Sequence, residues 1–238
     1  MNLTSDLNYS KQKLANNSLK ENLYNKKITC PVCENIFDVK VNKAKKAIMT
    51  SKDSDFFIRY KVINPYFYEI WLCPYCGYAA MKNEFPLIKN IQKEKIKSKI
   101  TSKWTPRKYP DVYDEIVAID RFKLALLTSI VIDSKESTKA MLSLKIAWMY
   151  RLLEKKEEEI DYLKRAIEGL NSTYYNENLP VYGIDQFNIL YLIGELNRRI
   201  GKNQEALKYF SELLVERNAS QKLKEMARDM KDIIKSQN

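Results

Sequence analysis

The sequence predicts an α+β protein in two parts, a small β-rich domain followed by an all-α repeat domain. Three observations predict it. All four cysteines fall in two frames of one spacing, Cys30-Pro31-Val32-Cys33 and Cys73-Pro74-Tyr75-Cys76-Gly77. The 39 residues between the frames hold alternating and aromatic-rich stretches of strand type. From Asp111 onward apolar residues recur at helical spacing.

Residues 1–25 read as a polar, mobile tail or a frayed helix, because Leu3, Leu7, Leu14 and Leu19 are too sparse to define a core face. Residues 26–81 form the β-rich domain. Ile36-Phe37-Asp38-Val39-Lys40-Val41 alternates, Phe56 to Ile63 and Tyr66 to Leu72 read as strands, and Asn64-Pro65 reads as the turn between them. The last strand leads directly into Cys73. Residues 82–110 hold a basic helix and a proline-rich linker. The helix, over 86–103, carries Ile88, Ile91, Ile96 and Ile100 on one side and Lys89, Lys93, Lys95, Lys97 and Lys99 around the rest; it reads as a solvated brace rather than a helix lying on a membrane or on nucleic acid. Trp104-Thr105-Pro106-Arg107-Lys108-Tyr109-Pro110 ends it and marks a domain boundary. Residues 111–238 then read as helices at about 111–133, 136–154, 157–175, 184–200, 203–217 and 220–235, with connections short enough to make antiparallel hairpins.

Two residues between thiols let one tight turn aim both sulfurs at a point. Two such turns face to face make a tetrahedral four-sulfur site that suits Zn²⁺, with Cys30, Cys33, Cys73 and Cys76 as ligands. Pro31 and Pro74 fix the backbone at the start of each turn, and Gly77 supplies freedom after the second. Four thiolates close the coordination sphere, so the metal is structural, and the absence of histidine excludes a mixed site. A redox dithiol and a pair of disulfides are the competing readings. The first usually needs one pair beside a βαβ pattern, and the second an oxidising compartment that the polar N-terminus does not suggest. The gap between the frames exceeds the roughly 15–20 residues of compact zinc modules, so the ribbon must carry an insertion or long strands.

The formal charge of +11 is uneven. Residues 1–110 carry 21 Lys/Arg against 9 Asp/Glu, and residues 111–238 carry 20 against 21. Such asymmetry can mark a nucleic-acid-binding half, with Lys43, Lys45 and Lys46 on phosphates. Against this, lysine outnumbers arginine 32 to 9 amid abundant Asn, Ile and Tyr, as a low-GC genome would produce without any selected partner. The aromatics Phe56, Phe57, Tyr60, Tyr66, Phe67, Tyr68, Trp71, Tyr75 and Tyr78 could stack bases, but core packing is the more frequent role. No apolar run reaches the roughly 18 residues of a membrane span, and a cytoplasmic protein with reduced cysteines is the simplest reading. Without histidine or a glycine-rich phosphate loop, the sequence offers no catalytic residues, and an enzyme is not expected.

The helical hairpins align with each other. Ile193-Gly194 is followed by a turn at Gly201 and then by Ala206, Phe210 and Leu213. Ile146-Ala147 is followed by Tyr150, Leu163 and Ala166 at a spacing of 47 residues. The pattern resembles the tetratricopeptide repeat, with Glu159 standing near where a small residue belongs and Glu154 where the turn glycine belongs. Ala118, Phe122 and Ala125 resemble an orphan second helix, and Gln221 to Ile234 a capping helix. An irregular helical bundle is the alternative.

A second resemblance covers about nine-tenths of the chain. Its residues are Cys30-Pro31-Val32-Cys33, Asp53-Ser54-Asp55-Phe56, Asn64-Pro65, Cys73-Pro74-Tyr75-Cys76-Gly77-Tyr78-Ala79-Ala80, Ser102-Lys103-Trp104-Thr105-Pro106-Arg107, Lys123-Leu124-Ala125-Leu126-Leu127, Ile146-Ala147-Trp148, and Leu192-Ile193-Gly194-Glu195-Leu196-Asn197-Arg198-Arg199. In combination they resemble the bacterial family catalogued as domain of unknown function 2225. That resemblance implies a zinc-ribbon-like N-terminus with a tetratricopeptide-like C-terminus, and no agreed activity.

The repeat resemblance implies a concave groove lined by the first helix of each hairpin. Those positions are Met141, Leu144, Trp148 and Arg151, and then Asn188, Tyr191, Glu195 and Arg198. Trp148 could instead pack against Tyr174-Tyr175 or the ribbon, and Arg198 and Arg199 could pair with Glu195 or Glu205. The expected function is therefore a non-enzymatic adaptor holding a protein or peptide partner, with a homodimer also open. A nucleic-acid-binding regulator using residues 1–110 is the alternative.

Overall fold

The structure is a computed structural model that describes residues 19–43 and 47–236. Residues 1–18 of the expected tail, and Lys45 and Lys46, lie outside the described residues. The described end of that tail runs into a strand at Leu23, so the β-rich part starts before residue 26.

Among the described residues there are six short strands: β1 (Leu23–Thr29), β2 (Ile36–Asn42), β3 (Met49–Lys52), β4 (Ile58–Tyr60), β5 (Ile70–Leu72) and β6 (Ala79–Met81). They pair as three two-stranded sheets, β1 with β2, β3 with β4 and β5 with β6. Seven α-helices follow: α1 (Asn90–Lys99), α2 (Glu115–Val131), α3 (Glu136–Leu152), α4 (Lys156–Asn176), α5 (Gln186–Arg199), α6 (Asn203–Val215) and α7 (Gln221–Ser236). The fold is α+β. Tyr66–Tyr68, expected to be strand, lie in a 3-10 turn instead, where Asn64 caps the start by accepting from the Tyr66 N–H and Pro65 supplies its fixed φ.

Contacts divide the chain into two compact units, and the division does not follow the linker at residue 110. One unit takes the chain up to Ser51 together with Ile58–Ile132. The other takes Lys52–Phe57 together with Asp133 onward. Two segments therefore sit elsewhere than the periodicity suggested. Helix α2, read as an orphan repeat helix, packs on β5 and β6. The segment Lys52–Phe57, which is the last residue of β3 and the loop to β4, belongs with the helices.

The first unit is organised on its two Cys-x-x-Cys turns. The β1–β2 hairpin closes at the pair Thr29↔Ile36, and the β5–β6 hairpin at Leu72↔Ala79. Val32, Phe37, Val39, Tyr78, Phe85, Ile96 and Ile100 form the core beside the cysteines. The supposed linker is part of this unit. Arg107 pairs with Asp120, Tyr109 Oη donates to Asp120 Oδ2 at 2.6 Å, and Arg121 lies over the rings of Tyr109 and Tyr113. Of the nine aromatics named above, Phe57, Tyr66, Tyr68 and Tyr78 are buried, Phe56, Tyr60, Phe67 and Trp71 are half-buried, and Tyr75 is exposed.

The second unit is a row of antiparallel helices in which α3 packs with α4, α4 with α5, α5 with α6, and α6 with α7. Asp185 caps α5 by accepting from the Asn188 N–H, and Glu157, Glu158 and Glu159 sit in the first turn of α4, where the helix dipole favours acids. The turns of the two hairpins are alike. Glu154 (φ 57°) and Gly201 (φ 80°) hold equivalent left-handed turn positions, and Lys155 and Lys202 each donate a backbone bond five residues back, to Tyr150 and Asn197. Glycine is strain-free there and glutamate is not, yet the chain turns the same way. At Gly194 a Cβ would lie 2.8 Å from the Phe210 ring, so the small residue is what lets α5 and α6 approach.

Candidate functional site

Two constellations carry chemistry, one in each unit. The first is the cysteine cluster. Each hairpin ends in the same turn: Cys30 N–H donates to Asn35 O and Glu34 N–H to Cys30 O, while Cys73 N–H donates to Tyr78 O and Gly77 N–H to Cys73 O, all at 2.9–3.0 Å. The last residue of each turn is left-handed, Glu34 at φ 62° and Gly77 at φ 76°. The turns bring the four Sγ atoms within 4.8 Å of one another, with Cys30–Cys76 and Cys33–Cys73 at 3.6 Å. No disulfide joins them. Cys30, Cys73 and Cys76 are buried and Cys33 is partly exposed. Hydrogen bonds from Cys73 and Cys76 pull the Cys30 thiol far below its usual range, and the same bonds push Cys73 and Cys76 up. The closeness of the four sulfurs is what lets these residues hold a metal ion.

Neighbouring residues fix the turns. Trp104 Nε1 donates to Pro74 O at 2.8 Å, and its ring lies where a Cβ on Gly77 would be, 2.6 Å away. Thr101 Oγ1 donates to Cys76 O at 3.0 Å, and Asn35 Nδ2 to Cys33 Sγ at 3.4 Å.

The second constellation lies in the helical unit, where Lys52–Phe57 is seated against α3 and α5. Asp55 is fully buried. Its carboxylate accepts from Arg151 Nη1 at 2.9 Å and Nη2 at 2.6 Å, and from Trp148 Nε1 at 3.0 Å, with Arg199 at 3.6 Å. Arg151 also donates to Asp53 Oδ2 at 3.0 Å and to Glu159 at 2.7 Å. Ser54 Oγ donates to Glu195 Oε1 at 2.6 Å and accepts from Arg199 Nη2 at 2.8 Å. Arg198 and Arg199 both donate to Glu195, which is fully buried. Phe57 stacks on Trp148 with centroids 5.2 Å apart, and Phe56 lies 5.4 Å from Tyr191. Burial opposes the charge on Arg151, but the bonds and fields of Asp55 and Glu159 outweigh it and raise its pKa further. Burial, aided by the Glu195 charge, raises the Tyr191 phenol.

The groove positions named from sequence thus have distinct fates. Trp148, Arg151, Tyr191, Glu195 and Arg198 converge on one place, with Trp148, Arg151, Tyr191 and Glu195 directly against Lys52–Phe57 and Arg198 holding Glu195. The alternatives stated for two of these positions hold: Trp148 packs on Phe57, from the stretch read as the ribbon, and Arg198 and Arg199 pair with Glu195. Met141 and Leu144 are buried. Asn188 belongs to the α5 cap, where its backbone and side-chain N–H groups both donate to Asp185 Oδ1. The sequence pattern assigns no groove role to Asp53, Ser54, Asp55 or Phe57; it offers Arg199 only as a partner for Glu195 or Glu205, and Glu159 only as a departure from the repeat pattern. Glu159, which breaks the small-residue pattern, does so to hold Arg151. Lys43 Nζ donates to the Glu21 carbonyl, and the five lysines of the α1 region flank the buried Ile96 and Ile100 on both sides without forming one face. Among the described residues no helix is long and apolar enough to cross a membrane.

A family model described as an uncharacterized protein conserved in bacteria (DUF2225) matches residues 23–234. No curated protein and no solved structure matches the chain.

Proposed function

The chain belongs to the bacterial family DUF2225, and on that premise we propose that it is a non-enzymatic cytoplasmic adaptor whose helical unit is a tetratricopeptide-like peptide groove. One observation carries the reading. The helical unit already holds a short peptide, Lys52–Phe57, through side chains of the first helix of each hairpin. Arginine and tryptophan anchors with buried acid partners are the residue types that dominate peptide-binding hot spots. The cysteine cluster is a structural zinc site. An S···S distance of 3.6 Å suits the edge of a tetrahedron around an ion with metal–sulfur bonds of about 2.3 Å. The zinc would join the turns of the two short cysteine hairpins, whose four Sγ atoms lie within 4.8 Å of one another. Free thiols at this site suit a reducing compartment.

The test is an unbiased peptide array probed with purified full-length protein. Two forms are used, wild type and a chain with Lys52–Phe57 replaced by glycine and serine. Retention of a peptide set by the replaced chain, lost on Arg151→Met, is the expected result. Failure of both folded forms to retain any peptide contradicts the reading.

A further inference from the structure

Lys52–Phe57 sits in the helical unit while Ser51 and Ile58 on either side do not. To the helices, the segment is a tethered ligand of six residues. Its anchors make a simple code. Asp53 and Asp55 present carboxylates to Arg151, Ser54 bridges Glu195 and Arg199, and the two phenylalanines lie on Tyr191 and Trp148. Every receiving side chain is on α3 or α5.

Charge supports the same code. Without the segment, the pocket holds the guanidinium groups of Arg151, Arg198 and Arg199 against the carboxylates of Glu159 and Glu195. Its excess of guanidinium groups over carboxylates favours acidic ligands. The segment is also an imperfect occupant. The Tyr191 hydroxyl is buried and has no hydrogen-bond partner. A ligand that brings an acceptor to that hydroxyl would satisfy a group that the chain's own segment leaves bare.

Taking the helical unit as a peptide groove, we propose that its ligand is an acidic–aromatic peptide of the pattern Asp-x-Asp-Phe-Phe on a protein partner. The Lys52–Phe57 loop is a resident copy of that ligand and leaves when the partner binds. The tether gives the resident copy an effective concentration of roughly millimolar. A free peptide making only the same contacts therefore binds the intact chain weakly, and partner affinity comes from contacts that the loop lacks.

The probe is a fluorescein-labelled peptide Ser-Lys-Asp-Ser-Asp-Phe-Phe-Ile, with a scrambled control, followed by anisotropy against the zinc-loaded full chain. The chain with Asp55→Asn and Phe57→Ala, checked for folding by circular dichroism, should bind the probe at least tenfold more tightly than wild type. Adding Arg151→Met should remove that binding, and the scrambled peptide should not bind. If that tip variant does not fold, amide exchange of wild type replaces it: excess probe should accelerate exchange at Phe56, and no acceleration overturns the proposal. A folded tip variant that takes array peptides of other chemistry but not the probe overturns this inference and leaves the groove reading intact. A folded variant that takes no peptide overturns both. Dimerisation of wild type that Arg151→Met abolishes assigns the groove to the loop of a second copy and overturns the partner proposal.

Discussion

Arg151 and Asp55, 96 residues apart in sequence, meet in a two-point ion pair, Nη1 to Oδ1 at 2.9 Å and Nη2 to Oδ2 at 2.6 Å, with Asp55 wholly inside the helical unit. A planar guanidinium facing a carboxylate satisfies both donors and both acceptors at once. A fully buried carboxylate is tolerable only with such partners. The pair fixes Lys52–Phe57 to α3, and the Trp148 indole adds a third bond to the same carboxylate.

Breaking that pair should be expensive. Asp55→Asn leaves Arg151 with Asp53 and Glu159 but removes the buried partner, and a loss of about 3 kcal/mol in urea unfolding is expected. Asp111→Asn is the contrast: Asp111 pairs with Lys20 and Lys40 on the surface, so the unfolding midpoint should stay where it is.

The close approach of α5 and α6 predicts a steric penalty. Gly194→Ala places a methyl 2.8 Å from the Phe210 ring. A loss of about 1–3 kcal/mol is expected. Phe210→Leu in the same chain should recover part of it, because the aromatic edge is what the methyl meets. Additive losses in a double-mutant cycle would contradict this account.

Metal removal should act on one unit first. A strong chelator, or Cys73→Ser, should unfold the two cysteine hairpins while the α3–α7 helices keep their far-ultraviolet signal. A metal-free chain that retained the amide protection of β1, β2, β5 and β6 would show that the cluster needs no ion.

Trp104 should govern how fast the metal leaves. Its indole N–H donates to Pro74 O inside the second cysteine turn. Trp104→Phe keeps a ring near Gly77 and removes the bond, a change of about 1 kcal/mol. Transfer of metal to a chromophoric chelator should quicken about fivefold, and an unchanged rate would mean that the bond does not brace the turn.

Much of this was readable because the signals are local. Two Cys-x-x-Cys frames specify their own turns, and the 3.6-residue period placed α3 to α7 within a few residues of their bounds. Strand β1 escaped because Tyr24, Asn25, Lys26 and Lys27 all face solvent, so Leu23–Thr29 shows no apolar alternation. Helix α2 carries the same small-and-aromatic seam as a repeat helix, and periodicity cannot say whether that seam meets helices or strands β5 and β6. Phe56 and Phe57 looked like the start of a strand. Their role depends on Tyr191 and Trp148, more than ninety residues away, and no local pattern reports such a pairing. Glu154 and Glu159 looked like flaws in the repeat. One turns the chain with a left-handed backbone, and the other neutralises Arg151.

The central claim is that the groove is filled by the chain's own Lys52–Phe57, and amide exchange tests it most directly. The Asp53 and Phe56 N–H groups donate to Phe57 O and Asp53 O at 2.8 and 3.0 Å, beside the buried Asp55 and Phe57. In the zinc-loaded wild type these amides should be protected, though less than those of α3, and in Arg151→Met they should exchange fast while α4 and α6 stay protected. Fast exchange at Asp53 and Phe56 in the wild type would contradict the account, because the groove would then be open.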